Sequence, residues 1–257
     1  MNIAEKLLLK FCIKKQDDMN SSLSSRGDFT EAMSQLTTSF SGFENDVKGK
    51  RVLDFGCGEG EQAIFMARSG AAFVVGVDIN RGDIAKASIK ARQLGISEEK
   101  IWFVATYQVE QYEKFDIILS HNSFEHFEDP VYILKFLRSA LNPKGRLYIT
   151  FGPPWLAPYG AHMQFFCRLP WAHLFFSERT IMNVRSRFRL DGAKHYEEVE
   201  GGLNKMTVGR FEKILKAEGF KIKYKKYECI KKLNIFRLIP GLRELFINQV
   251  SCMVEMV

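Results

Sequence analysis

Val52-Leu53-Asp54-Phe55-Gly56-Cys57-Gly58-Glu59-Gly60 is the stretch that decides the fold. A short apolar run carries an acid near its end, breaks into a turn with glycine at every second position, and re-enters an amphipathic segment from Gln62 to Ser69. Glycine is needed where a backbone takes positive φ or comes close to a ligand. A glycine turn that leaves the carboxyl end of a strand and feeds a helix is where doubly wound α/β folds bind nucleotides. The dinucleotide fingerprint Gly-x-Gly-x-x-Gly would put its third glycine at position 61. That position is Glu61, and the glycine stands one place earlier, at Gly60. Val74-Val75-Gly76-Val77-Asp78-Ile79-Asn80 reads as a second buried parallel strand ending in an acid. Asp78 lies about 20 residues past the glycine turn, the place of a ribose-binding carboxylate. Asn80 is set to N-cap the helix that follows.

Outward from this pair the pattern is regular. Strand 51–55 leads to helix 60–69, closed by Gly70, and strand 72–77 to helix 81–94, closed by Gly95. Strands 101–104 and 115–120 follow. Asp129-Pro130, an N-cap with proline at the first helical position, opens a helix to Leu141. Asn142-Pro143-Lys144-Gly145 is expected to turn into strand 146–151. Strands alternating with helices imply a parallel sheet with right-handed crossovers. The expectation is a doubly wound, Rossmann-like α/β fold with a seven-stranded, mostly parallel sheet.

After Phe151 the alternation stops at Gly152-Pro153-Pro154-Trp155, which continues neither a helix nor a central strand. Residues 152–205 are dense in aromatics, proline, histidine and arginine. A structureless loop of that length does not suit a compact domain, so they read as a cap inserted after strand five, over the sheet's carboxyl edge. Helix and strand signals return from Thr207, an N-cap, to Gly219, with strands near 220–230 and 248–257. The chain therefore divides into a helical arm and linker (1–49), a ligand-binding α/β core (50–151), the cap (152–205) and the rest of the core (206–257). Within the arm, Met1 to Lys15 sets Ile3, Leu7, Leu8 and Phe11 at helical spacing, residues 16–30 read as a linker, and 30–49 as a weak helical lead-in.

The 257 residues suffice for a sizeable core, and the net charge of +7 hints at an anionic partner or surface. Five scattered cysteines without CxxC spacing argue against a disulfide framework and a zinc site, and suit reducing cytosol. No apolar run is long enough to span a membrane. Met1 to Lys15 is too charged for a signal peptide.

The motifs in order resemble those of the class I S-adenosylmethionine-dependent methyltransferases, in their small-molecule branch. The Asp54 to Gly60 turn is similar to that family's first motif. Phe115-Asp116-Ile117-Ile118-Leu119-Ser120 resembles its fourth strand. Glu125-His126 with Asp129-Pro130 resembles a stretch common in its small-molecule members, and Asn142 to Leu147 its turn into strand five. The resemblance covers residues 48–151 and, more loosely, 206–257. It implies S-adenosyl-L-methionine as cofactor. Asp54 and the backbone of the turn at Gly56, Cys57 and Gly58 would hold the methionine moiety, and Asp78 the ribose. Ile79 would pack on the adenine, and Ser120 and His121 would stand near the sulfonium. Many relatives carry an aspartate after strand three; this chain has Val104-Ala105-Thr106-Tyr107, where Thr106 would hydrogen-bond the base and Tyr107 stack on it.

Methyl transfer needs donor and acceptor aligned and, for a hydroxyl acceptor, a proton removed. The base candidates are His162, His126, Glu125 and Tyr159, with His162 and Tyr159 placed by the cap and His126 alternatively a brace for the next helix. Trp155, Phe165 and Trp171 are expected to exclude water or stack on the acceptor. His173 reads as packing beside Trp171, and His195 as solvated. Arg185, Arg187 and Arg189 alternate as on one face of a strand, either toward an anionic group or to solvent.

Residues 221–257 hold eight Lys/Arg against three Glu, beside the apolar run Leu233 to Pro240. With the amphipathic N-terminus this suggests peripheral contact with an anionic membrane; charge on an exposed strand is the plainer explanation. No nucleic-acid-binding module is recognisable. The leading expectation is thus a cytoplasmic methyltransferase acting on a small-molecule or lipid-linked acceptor, at an oxygen of a sugar or other metabolite. The alternatives are a nicotinamide-dependent oxidoreductase, which the glycine spacing disfavours, and a catalytically silent module that binds the cofactor.

Overall fold

The structure, a computed structural model, describes residues 1–12, 29–105, 113–199, 201–230, 239 and 242–257, with residues 29–33 described by their backbone only. Thr106 and Tyr107, and the run 233–240 apart from Ile239, lie outside the described residues. Three helices come first: α1 (Ile3–Leu9), α2 (Phe29–Ser39) and α3 (Phe43–Asp46). The alternating part follows as β1 (Arg51–Phe55), α4 (Glu61–Arg68), β2 (Phe73–Val77), α5 (Arg81–Gln93), β3 (Ile101–Val104), β4 (Phe115–His121), α6 (Pro130–Ala140) and β5 (Leu141–Phe151). The chain then forms α7 (Ala172–Phe175), α8 (Glu178–Arg185), α9 (Val208–Ala217), β6 (Phe220–Cys229), α10 (Arg243–Phe246) and β7 (Ile247–Met256).

The seven strands lie in the order β3-β2-β1-β4-β5-β7-β6. The first five are parallel, and β7 runs antiparallel to both of its neighbours. The apolar β1 and β2 are buried after their first residue, as strands covered on both faces must be. One face packs against α6 and α9 through Leu134, Leu137, Phe211 and Leu215. The other packs against α2 to α5 through Leu36, Phe43, Ile64 and Ala91. From β1 the chain builds outward to β2 and β3, then returns to place β4 on the other side. The strand order therefore reverses between β1 and β4, which opens a crevice at their carboxyl ends.

The expected caps are present. Asn80 Oδ1 accepts from Gly82 N and Asp83 N, Asp129 Oδ1 from Val131 N and Tyr132 N, and Thr207 Oγ1 from Arg210 N. Gly219, at φ +74°, ends α9. Two local expectations fail. Asn142 to Gly145 is no separate turn: β5 already pairs at Leu141 with Phe115, and the four residues bulge out before pairing resumes at Arg146 with Ile117. Arg185, Arg187 and Arg189 share no strand. Arg185 ends α8, because Ser177 caps that helix and Ile181, Met182 and Val184 are buried along it. The segment after β5 has its own apolar cluster, built from Ala161, Phe166, Ile181, Met182 and Tyr196, and it includes Leu8 of α1.

Candidate active site

The glycine turn is stitched to the end of β2. Gly56 N and Cys57 N both donate to Val77 O, at 2.8 and 2.9 Å, and Gly58 N donates to Asp78 Oδ2 at 2.9 Å. Asp78 Oδ1 accepts from Asn80 N at 2.9 Å. The spacing of Asp78 from the turn thus has a structural reason: one carboxylate ties the loop to the start of α5. Gly56 sits at φ +81°, and a Cβ there would lie 2.7 Å from Ser123, so no larger residue fits without displacing it. Beneath the turn Asp54 is almost fully buried and accepts the backbone N–H of Ala63 in the first turn of α4. Burial, then the nearby Asp78 and Glu61 carboxylates, push its pKa up to about 8. Its Oδ2 has no hydrogen-bond partner.

Above the turn lies a cavity of about 1000 Å³. Its floor is Phe55, Gly56, Asp78 and Ile79, its far wall Asn122, Ser123 and His126, and its roof Glu197 and Gly201 to Asn204. Ile79 is 66% exposed, an apolar surface beside the Asp78 carboxylate. Asn122 turns the chain out of β4 at φ +48°, so Ser123 comes round over Gly56 and its hydroxyl donates to Phe55 O at 3.2 Å. His126 Nδ1 donates to Gly202 O at 2.6 Å, since a carbonyl can only accept. In the neutral ring this bond fixes the tautomer, with the lone pair on Nε2.

The structure sorts the residues expected from sequence. Gly56, Asp78, Ile79 and His126 line the cavity. Ser120 and His121 do not. Ser120 is fully buried and shares a hydrogen bond with Ser123, at 2.9 Å. His121 leans to the opposite side, where Nε2 donates to Gln35 Oε1 at 3.1 Å and Nδ1 accepts from Thr150 Oγ1 at 2.7 Å. Burial lowers its pKa to about 4. The residues reaching the cavity from this strand stand two places later, at Asn122 and Ser123, because β4 runs on through His121 before it turns. Cys57 faces inward, buried, its thiol pKa pushed well up by desolvation.

Of the other base candidates, Glu125 is buried. Its Oε1 accepts from Gly152 N at 3.0 Å, which ties the turn after β4 to the end of β5, and burial raises its pKa. Tyr159 points its hydroxyl at Arg168 O, 3.3 Å away. His162 lies behind His126, ring edge to face with centroids 5.3 Å apart, and lines a second, smaller pocket. The aromatics placed over the acceptor do not line the large cavity either. Trp155 packs on His173 and Tyr196, and Trp171 on Phe246. His173 therefore braces Trp155, with Nε2 donating to Trp155 O at 2.6 Å, and not Trp171. His195 is exposed near Glu178.

What sequence reasoning missed is the roof. Gly201 and Gly202, at φ +81° and +69°, bring backbone against His126; a Cβ on Gly201 would stand 3.2 Å from its Nδ1. Tandem glycines followed by Asn204, whose amide donates to Phe124 O and Phe127 O, were the available signal.

The donor set fits the cofactor that the resemblance implies. Gly56 lines the cavity with bare backbone, because Ser123 fills the place a side chain would take; Asp78 has lone pairs beyond the two it gives to Gly58 N and Asn80 N, and Ile79 offers an exposed apolar surface. Asp54 adds a buried oxygen without a partner under the same loop. The family model described as a methyltransferase domain matches residues 26–224. A ubiquinone biosynthesis O-methyltransferase of Neisseria meningitidis serogroup C (strain 053442) is 32% identical over 107 residues, 41% of this chain and 45% of that protein. A 27-O-demethylrifamycin SV methyltransferase of Amycolatopsis mediterranei (strain S699) is 29% identical over 119 residues, 46% of this chain and 44% of that one. The chain thus aligns with less than half the length of these curated relatives. The crystal structure of a magnesium protoporphyrin IX methyltransferase from Synechocystis PCC 6803 with bound SAH superposes at a TM-score of 0.58. It is 16% identical, covers 99% of this chain and 100% of its own, and shows the shared fold.

Proposed function

We propose, for a chain that belongs to the class I S-adenosylmethionine-dependent methyltransferases, that it transfers a methyl group to an oxygen of a small-molecule acceptor. The observation that carries this reading is the cavity in which the Gly56 and Asp78 floor meets His126 under the Gly201–Asn204 roof. When bound, S-adenosylmethionine supplies an electrophilic methyl group and its own leaving group. The chain's work is then to hold, orient and deprotonate. The backbone at Gly56 would hold the methionine end and Asp78 the nucleoside end, with Asp78 accepting from ribose hydroxyls. The roof excludes water from the acceptor. His126, its Nδ1 proton held by Gly202, presents Nε2 as the proton acceptor for the attacking hydroxyl. His162 stands behind that position, while Glu125 is bound to Gly152 N and Tyr159 to Arg168 O, away from the cavity. The O-methyltransferase names of the two sequence relatives support oxygen as the acceptor atom. The test is calorimetry with S-adenosylmethionine, followed by transfer of labelled methyl into fractionated metabolite, glycan and lipid extracts. An absence of binding would sink the reading.

Helix α1 supports a lipid-linked acceptor met at a membrane face. Leu8 is fully buried, and Asn183 of α8 donates to Glu5 at 2.8 Å, so this side of the helix is held against the cap. Ile3, Leu7 and Phe11, one helical turn apart, are 85%, 46% and 43% exposed on the other side, with exposed Lys6 and Lys10 beside them. An apolar stripe flanked by lysines suits the headgroup region of an anionic bilayer. Among the described residues no helix is long and apolar enough to cross a membrane.

A further inference from the structure

Behind His126 lies a second pocket of about 120 Å³, lined by His162, Arg185 and Arg189 and by apolar walls that include Met163, Phe165 and Leu203. His126 and Leu203 line this pocket and the large cavity alike, so the two volumes share a wall at these residues. Two lining residues leave a buried polar atom without a partner: His162 Nε2 and Arg185 Nε. We propose that this pocket anchors a hydroxyl group borne on an apolar ring of the acceptor. The inference rests on the methyl-transfer reading only in taking that ring to belong to the acceptor.

The donor and acceptor inventory selects the group. The His162 ring bonds to the backbone of Pro153 through its other nitrogen, so Nε2 carries a lone pair and needs a donor. Burial first, and neighbouring His126 next, lower the His162 pKa to about 4, which keeps the ring neutral at pH 7. Arg185 spends both terminal nitrogens on Asp191, at 2.6 and 2.5 Å. That carboxylate neutralises it, and the remaining Nε–H needs an acceptor. A hydroxyl donates to one and accepts from the other. A carboxylate only accepts and leaves His162 unmet; an ammonium only donates and leaves the Arg185 Nε–H unmet. The apolar walls ask for hydrocarbon around the hydroxyl. A cavity of about 150 Å³ is known to hold a benzene ring, so this one is of ring size. A lone water could also satisfy both atoms, and it is the competing occupant.

Phenol is the probe. The chain has five histidines, so a protein carrying carbon-13 at histidine Cε1 gives five resolvable signals, and His162→Phe identifies that of His162. Phenol should shift the His162 signal saturably, with a Kd in the range of about 1 mM. Toluene and benzoate should each bind about tenfold more weakly or worse. His162→Phe should weaken phenol binding, read by calorimetry, by about tenfold, while His162→Gln, which keeps an acceptor, should lose less. Should either variant misfold, the three-ligand comparison on the native chain decides. Equal shifts from phenol and toluene, or none up to the solubility limit, would leave the pocket to water and overturn the proposal. S-adenosylmethionine calorimetry on the same sample separates the two readings: phenol binding without cofactor binding sinks methyl transfer and keeps the pocket, and the converse does the opposite.

Discussion

His126 and Gly202 are joined by a 2.6 Å hydrogen bond from the imidazole Nδ1 to the carbonyl oxygen, across 76 residues of sequence. That single bond couples the turn after β4 to the roof of the cavity. It also sets which imidazole nitrogen is free to take a proton. On the reading proposed above, the roof would then position the proton acceptor as well as cover the cavity.

Gly201→Ala tests this coupling. The substitution forces a side chain into positive φ, and its Cβ comes within 3.2 Å of the His126 ring. We expect a stability loss of about 1 kcal/mol. Methyl transfer should fall at least about tenfold, with cofactor affinity nearly unchanged. A variant with native turnover would show that the roof does not position His126.

Gly56→Ala separates cradle from fold. A Cβ at 2.7 Å from Ser123 must move that residue, which lines the cavity. Cofactor affinity measured by calorimetry should drop by about 100-fold or more, well beyond the roughly 1–3 kcal/mol of backbone strain read from denaturant unfolding. Asp78→Asn should also weaken cofactor binding by about tenfold or more, because a charged acceptor becomes a weaker one. It should also loosen the glycine turn, seen as faster amide exchange at Gly58, whose N–H the carboxylate holds.

Asp54 predicts a pH dependence of stability. Its folded pKa, about 8, lies above the ordinary carboxylate value, so the folded chain holds a proton that the unfolded chain has released. Stability from this group is therefore full below about pH 4 and declines as pH rises toward 8. His121 and His162, lowered to about 4, act the other way between about pH 4 and 6.5, since they charge more readily once unfolded. Comparing native protein with Asp54→Asn in urea at each pH isolates the first term. The native chain should lose stability relative to the variant across pH 4 to 8. A constant difference would mean that Asp54 stays ionised and paired in the fold.

The α1 stripe makes a prediction independent of turnover. The native chain should co-sediment with vesicles containing phosphatidylglycerol and not with purely zwitterionic ones. Replacing Leu7 and Phe11 together with serine should cut the bound fraction about tenfold, and Lys6→Glu with Lys10→Glu should abolish the dependence on anionic lipid. Melting temperatures should stay within a few degrees, because these side chains face out. Unchanged co-sedimentation of both double variants would remove α1 as the contact.

The alternation of apolar strands with capped helices, the glycine turn and the carboxylate at Asp78 were legible in the chain. Each is a local matter: glycine is demanded by φ at Gly56, and a run buried on both faces is demanded by a central parallel strand. Gly56, Asp78 and Ile79, which form the floor, could therefore be picked out from the chain, whereas Ser120 and His121, expected beside the same cofactor, turn away from the cavity. The wall and the roof could not be read. Whether Ser120 or Ser123 reaches the cavity depends on where β4 stops, a matter of three residues that pairing with β5 settles, through Thr150 and His121. Whether His126 or His162 lines the large cavity depends on which ring the Gly201–Gly202 backbone meets, and that contact spans parts of the chain with no common periodicity. Arg185, Arg187 and Arg189 looked like a strand face because alternation at three positions cannot be told from a helix end and the turn that follows it. Burial of Ile181 and Val184 in the cluster after β5 made the segment helical as far as Arg185, with Arg187 and Arg189 beyond its end. Local backbone chemistry wrote the floor of the site; long-range packing chose its wall and its roof.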